Sequence, residues 1–229
     1  MLAWERLGRA EVDGGGVMEL FRRGGDFAIR VDGRELMSSR MHGSEDALAE
    51  RVFDRLRSRG APTRPLRALV GGLGMGFTLA AALRRMGPDD RAEVAELVAE
   101  VIAWNEPDAG PVAAVAGRPL ADPRVRARCV DVGAVIREAA GAWDGIMLDV
   151  DNGPDGLSRP GNDWLYSPEG LRDTGRALRP GGVVAWWSAA PDAAFTRRLT
   201  RAGFVVAEET VRAHGNKGAR HTLWFGTLR

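Results

Sequence analysis

The sequence predicts an α/β protein: a mainly parallel sheet of seven strands preceded by a small antiparallel β unit. Three observations lead there. From Leu66 onward, short apolar runs alternate with helical stretches, which is the pattern of a parallel sheet with helices on both faces. Before Ser44 the runs are strand-like only, divided by Gly24-Gly25 and Asp32-Gly33, pairs that favour the positive φ of tight hairpins. The last two runs, Phe204 to Glu209 and His221 to Leu228, have no helix between them, so they pair antiparallel at one sheet edge.

The elements follow in order. Val17 to Arg22, Phe27 to Val31 and Glu35 to Ser38 are the N-terminal strands, and Gly14-Gly15-Gly16 is a turn. Ser44 is placed to cap a helix whose first turn carries Glu45 and Asp46. Leu48, Val52 and Leu56 recur at i+4 on its apolar face, and Gly60 stops it. The parallel strands are Leu66 to Val70, Ala92 to Leu97, Val125 to Val130, Trp143 to Val150 and Val183 to Ser188. Helices are expected over Phe77 to Met86, Val98 to Asn105, Val135 to Ala140, Ser167 to Leu178 and Asp192 to Arg201. Arg179-Pro180-Gly181-Gly182 is a tight turn, Cys129 a small buried apolar residue, and the basic stretch Arg212 to Arg220 an exposed hairpin loop. Residues 1–42 form the β appendage and 43–229 the main domain.

Composition narrows the function. The 229 residues carry 32 Lys and Arg against 31 Asp and Glu, a net charge of +1, so neither nucleic acid nor a membrane surface is the expected partner. One cysteine excludes a disulfide framework, and three histidines argue against a histidine-rich zinc site, so no metal is expected. No apolar run approaches the ~20 residues of a membrane-spanning helix, and the N-terminus lacks an export signal. The expectation is a soluble cytoplasmic protein.

In an open parallel sheet, ligands bind outside the carboxyl ends of the strands, near the switch in strand order. After the first parallel strand stand Gly71, Gly72, Gly74 and Gly76, which let the backbone approach a ligand, or simply form a tight turn. The second strand ends at Glu96, whose carboxylate can accept from two ribose hydroxyls. The third ends at Asp131, suited to an adenine amino group, to capping the next helix, or to both. The fourth ends at Asp149, with Asp151 and Asn152 beside it. An acid there can orient an amine and take its proton, or stabilise a turn. His42 and His221 are candidate bases, and Trp164, Trp186 and Trp187 candidate pocket walls, although core packing explains such residues as well.

This pattern resembles the class I methyltransferase-like fold that binds S-adenosylmethionine, and within it the spermidine synthase (polyamine aminopropyltransferase) family. The resemblance spans roughly residues 17–210 and includes the glycine loop, Glu96, Asp131, the Asp149 loop, Leu165-Tyr166-Ser167-Pro168-Glu169-Gly170 and Leu178-Arg179-Pro180-Gly181-Gly182. It implies a Rossmann-like domain in which Glu96 holds the ribose, Asp131 the adenine, and the glycine loop the methionine-derived tail. It also implies Asp149 and Asp151 as catalytic acids, an acceptor site drawn from His42, Asn152, Trp164 and Tyr166, a small-molecule amine as substrate, and a homodimer.

The departures carry information too. The family's glycine loop reads GGGDGG, and Gly74 stands where its Asp would be. The family's D-x-x-D-P loop becomes Asp149-Val150-Asp151-Asn152-Gly153-Pro154, with the second acid displaced. Its D-E-x-x-Y-H-E segment corresponds to Arg40-Met41-His42-Gly43-Ser44-Glu45-Asp46. Fewer acids weaken diamine binding, and the loss of the loop Asp removes repulsion against a carboxylate. The expected donor is therefore S-adenosylmethionine as well as, or in place of, its decarboxylated form. The expected reaction is transfer of an aminopropyl-type group to an amine. The alternatives are a small-molecule methyltransferase and a non-catalytic nucleoside-binding protein.

Overall fold

A computed structural model describes residues 2–12, 16–58, 60, 64–150, 163–214 and 217–228. Strands β1 (Glu5–Val12), β2 (Gly16–Arg23), β3 (Asp26–Val31) and β4 (Arg34–Ser38) form an antiparallel meander in that order. β1 was not expected, because Gly8 interrupts it and its polar residues do not alternate cleanly. The ladder shifts register between Arg6 and Gly8. A Cβ at Gly8 would sit 2.5 Å from the indole nitrogen of Trp104, so glycine is what lets this strand lie against the helix carrying that tryptophan.

The main chain then alternates: α1 (Gly43–Ser58), β5 (Arg67–Gly71), α2 (Phe77–Arg85), β6 (Arg91–Glu96), α3 (Ala99–Trp104), β7 (Val125–Cys129), α4 (Val132–Glu138) and β8 (Trp143–Leu148). The short α5 (Asp163–Tyr166) follows, then α6 (Pro168–Ala177), β9 (Leu178–Ser188), α7 (Ala193–Arg201), β10 (Phe204–His214) and β11 (Lys217–Leu228). The seven-stranded sheet has the order β10-β11-β9-β8-β5-β6-β7. β5 to β9 run parallel, and β11 enters antiparallel between β9 and the edge strand β10. The order reverses at β5, so its carboxyl end faces the switch point.

Alternate residues of each strand serve opposite faces. Val70, Val94, Met147, Ala185 and Phe225 pack with α1, α2, α3 and the N-terminal sheet. Leu69, Ala95, Leu148, Trp186 and Trp224 pack with α4, α6 and α7. Leu48, Val52 and Leu56 are buried as their i+4 spacing predicts, and Leu20 and Ile29 join the same core from the N-terminal sheet. Each such side chain contributes about 1.5–3 kcal/mol through burial.

Four local expectations are revised. Ser44 lies inside α1 and its hydroxyl donates to Glu45 instead of capping the helix. The Arg179 to Gly182 turn is absorbed into β9 as an irregularity: the pairing passes from Trp143↔Leu178 to Gly145↔Val183, with Gly181 at φ +79. Cys129 is exposed because β7 is the sheet edge, and its thiol donates to the Leu97 carbonyl. The basic stretch is mostly ladder, with Arg212 paired to Arg220. Among the described residues no helix is long and apolar enough to cross a membrane.

One polar cluster pins the amino ends of the strands. Asp144, near the start of β8, accepts from both terminal nitrogens of Arg64 at 3.0 and 2.7 Å, from Arg179 at 2.9 Å and from the Arg67 amide at 2.8 Å. These donors hold its carboxyl below the usual range against the opposing effect of burial.

Candidate active site

At the opposite, carboxyl ends of the strands a cavity of about 550 Å³ opens between the glycine loop and the N-terminal sheet. Its position follows from topology: β5, β6, β7 and β8 all end there, and β4 covers it from the other side. The described lining includes six carboxylates (Asp32, Glu35, Glu45, Glu96, Asp131, Asp149) against one cation, Arg34. Such a lining favours a positively charged ligand.

The glycine loop is held by its surroundings. The Gly72 amide donates to the Ala95 carbonyl, and Asn105 Nδ2 donates to the Gly74 carbonyl at 2.8 Å. Gly72 has φ +85, and a Cβ there would lie 2.2 Å from the Asp149 carbonyl oxygen, so β5 and β8 approach too closely for any side chain. Gly74 has φ +51 and meets Met37 of β4, whose sulfur would stand 2.8 Å from an added Cβ. Gly72 and Gly74 line the cavity. Gly71 packs on Val132 and Leu148, and Gly76 sits against Pro119 at the start of α2, so these two shape the loop from behind.

Glu96 is buried and spans the loop: Oε2 accepts from the Leu73 amide and Oε1 from the Val98 amide, each at 2.9 Å. Both oxygens keep a lone pair for a ligand on the cavity side. Asp131 accepts from the Gly133 amide at 2.7 Å as the cap of α4, and its side chain also lines the cavity. Both readings of Asp131 are therefore compatible with one position.

Asp149 is half-buried at the end of the central strand pair and accepts from Thr78 Oγ1 at 2.8 Å. Burial pushes its carboxyl up to about 6, the Thr78 bond acting in the other direction. Glu45, in the first turn of α1, faces the same space. Burial first and the nearby Asp149 charge second push it up to about 7. Two carboxyls raised toward neutrality in one cleft are poised for proton exchange.

Other sequence candidates fall elsewhere. His42 stacks on Phe77, with ring centroids 4.0 Å apart, and bonds Asp46 at 2.7 Å. Trp164 packs on α4 under the Arg137 guanidinium. Tyr166 is buried with its ring against Phe195, and Trp186 is fully buried. α5 and β9 place Tyr166 and Trp186 in the core, whereas His42, just before α1, and Trp164 are half-buried. Trp187 does line the cavity, and its buried indole nitrogen has no partner among the described residues. Asp151 and Asn152 lie outside the described residues. Among the described residues no three His, Cys, Asp or Glu side chains gather to hold a metal ion.

Sequence reasoning missed Glu45, Thr78, Met37 and Asn105 as site residues. Glu45 had been assigned to the dipole of its helix. Its place in the segment matching the family's amine contacts was the available signal.

No protein-family model matches the chain, and no curated protein sequence matches it. Solved structures do. Spermidine synthase from Thermotoga maritima aligns with a TM-score of 0.73 over 96% of this chain and 71% of its own, at 16% identity. A spermidine synthase in complex with the transition state analogue AdoDATO gives 0.72 with the same coverage and identity. The chain has the spermidine synthase fold. A precorrin-6y C5,15-methyltransferase from Geobacter metallireducens GS-15 aligns with a TM-score of 0.52 over 79% of this chain and 87% of its own, at 13% identity. The spermidine synthase fold thus extends across both sheets, and the methyltransferase likeness covers less of the chain.

Proposed function

We propose that this protein is a transferase that uses S-adenosylmethionine or its decarboxylated form as co-substrate and passes an aminopropyl-type group to a small amine. The observation that carries this reading is the acid pair Glu45 and Asp149, facing one cavity beside a side-chain-free glycine loop. Glu96 accepts the ribose hydroxyls and Asp131 the adenine amino group. The loop backbone at Gly72 and Gly74 lies along the tail, and Trp187 walls the same space.

The chemistry asked of the protein is modest. A sulfonium is already an activated leaving group, so the main contribution is alignment of the amine for in-line attack. Asp149 and Glu45 hold the incoming ammonium, and Asp149 accepts its proton. The amine lone pair forms the new N–C bond while the C–S pair returns to sulfur, leaving a neutral thioether. Asp151, two residues beyond Asp149, is proposed as a second catalytic acid.

Gly74 supports the undecarboxylated donor. Met37 occupies the space where an aspartate side chain would start, so no acid opposes a donor carboxylate at this point, and Arg34 is available at the cavity wall.

Incubation with both donors and a panel of amines, read by mass spectrometry, tests the reading. Formation of methylthioadenosine with an enlarged amine is expected. S-adenosylhomocysteine with a methylated product would replace it with methyl transfer, and absence of any product with a nucleoside-binding role.

A further inference from the structure

A buried polar chain leaves the cavity from Glu45. Ser44 Oγ donates to Glu45 Oε2 at 2.5 Å, and His221 Nδ1 lies 2.8 Å from the same Ser44 oxygen. Ser44 is fully buried, while His221, on β11, is half-buried with its ring edge against Trp187 at 4.7 Å. Two elements distant in sequence, α1 and β11, thus build one file leading away from the acid pair, with Trp187 of β9 packed against it. Packing alone does not explain a buried serine bonded on both sides to titratable groups.

We infer that Glu45, Ser44 and His221 are the route by which the proton removed from the amine leaves the cavity. This rests on the amine-transfer reading above and adds the step that resets its acid pair. Glu45 lines the cavity and is the catalytic member, whereas Ser44 and His221 are positioning and relay residues.

The single hydroxyl proton of Ser44 sets the polarity of the file. With Glu45 ionised, Ser44 donates to it and accepts from His221 Nδ1–H. With Glu45 protonated, both bonds reverse: Glu45 donates to Ser44, Ser44 donates to the Nδ1 lone pair, and the imidazole proton sits on Nε2. Transfer along the two reversed bonds leaves Glu45 ionised and His221 as imidazolium. The Nε2–H then passes to solvent, restoring the first state. The proton that Asp149 takes from the amine passes to Glu45 across the cavity they share, and one proton leaves at His221, with no other reactant needed.

The surrounding charges are compatible with this. Glu45 faces Asp149 from the end of β8 and Asp46 from its own helix, and Asp46 is in turn paired with His42 and Arg84. Thr78 on α2 bonds Asp149 and the Glu45 carbonyl. Around His221 stand Ser44, Trp187 and, across the ladder, Val211, all uncharged. Burial lowers the His221 pKa, so its imidazolium is short-lived and gives up its proton readily.

Nitrogen NMR of histidine-labelled protein tests the coupling without turnover. The His221 tautomer should pass from Nδ1–H to Nε2–H between about pH 8 and about pH 6 as Glu45 takes up a proton. It should stay fixed in Ser44→Ala and in Glu45→Gln. A wild-type tautomer that ignores pH in that range, or one that still switches in both variants, overturns the relay.

Kinetics with the fastest amine of the panel supply the second arm. Ser44→Ala should lose about 10-fold or more in kcat with KM nearly unchanged, and Ser44→Thr should recover most of it. Added imidazole should rescue His221→Ala, an effect a structural role would not give. Wild-type kcat in Ser44→Ala, or equal impairment of the Thr and Ala variants, contradicts the route. A wild type that turns over no amine defeats the transferase reading instead, and the tautomer experiment still decides whether the three groups are coupled.

Discussion

Two aspartates at opposite ends of β8 show how differently the ends of this sheet are built. Asp144, at the amino end of β8, is met by Arg64, Arg179 and a backbone amide, and its carboxyl is held ionised. Asp149, just past the carboxyl end, has the Thr78 hydroxyl as its partner and is pushed up to about 6 by burial. Asp144 is buried and Asp149 half-buried. One has its charge neutralised by the fold, and the other is left with a charge for something outside the chain to neutralise. A carboxylate that the fold leaves without a cation is the better pointer to a cationic ligand.

The largest expected effect that sharpens this contrast is on catalysis. Asp149→Asn should lower kcat by about 100-fold to 10,000-fold, the usual worth of a positioned acid or base. Its unfolding midpoint should equal or exceed that of wild type. Loss of fold together with loss of activity would place Asp149 with Asp144 as a structural group.

Asp144→Ala should do the reverse. It leaves the Arg67 amide and the partly exposed guanidiniums of Arg64 and Arg179 without their acceptor, a loss of about 1–3 kcal/mol. Urea unfolding should show that loss, while donor affinity at temperatures where the variant is folded stays at the wild-type level. An unchanged midpoint would mean the cluster is held by other contacts.

A smaller effect separates the two ends by pH. Glu45 and Asp149 bind protons more tightly folded than unfolded, so their contribution to stability falls as pH rises from about 4 through about 7. Asp144 has the opposite sign: its contribution is present above its unfolded pKa and lost on acidification through its lowered folded value. Thermal melts of Glu45→Gln should therefore exceed wild type at pH 8 and converge with it near pH 4. A Glu45→Gln melt below wild type at pH 8 would mean that Glu45 is stabilised as a carboxylate by a partner cation.

Much of this was legible from the chain. The alternation from Leu66 onward is a direct consequence of burying strands on both faces, and it located the sheet and the strand ends where Glu96, Asp131 and Asp149 stand. Periodicity marks what packs, and it is silent about what packs against a loop from another sheet. That is why Met37 on Gly74, and Gly8 under Trp104, were invisible: both depend on the meander folding over the parallel sheet. Glu45 was misread for a related reason. An acid in a first helical turn has a sufficient local explanation, and its meeting with Asp149 and Ser44–His221 is tertiary. Tyr166 belongs to a matching motif, and the short helix α5 places its ring in the core, while Trp164 beside it is half-buried.

The central claim is that the cavity grips an adenosyl donor through Glu96 and Asp131. Calorimetry with S-adenosylmethionine and its decarboxylated form, on wild type and on Glu96→Gln, tests it most directly. One molecule bound per chain is expected, with affinity about 10-fold weaker in the variant, as suits one lost hydrogen bond to a charged acceptor. Equal affinity in the two proteins, or no binding of either donor to wild type, would contradict the account.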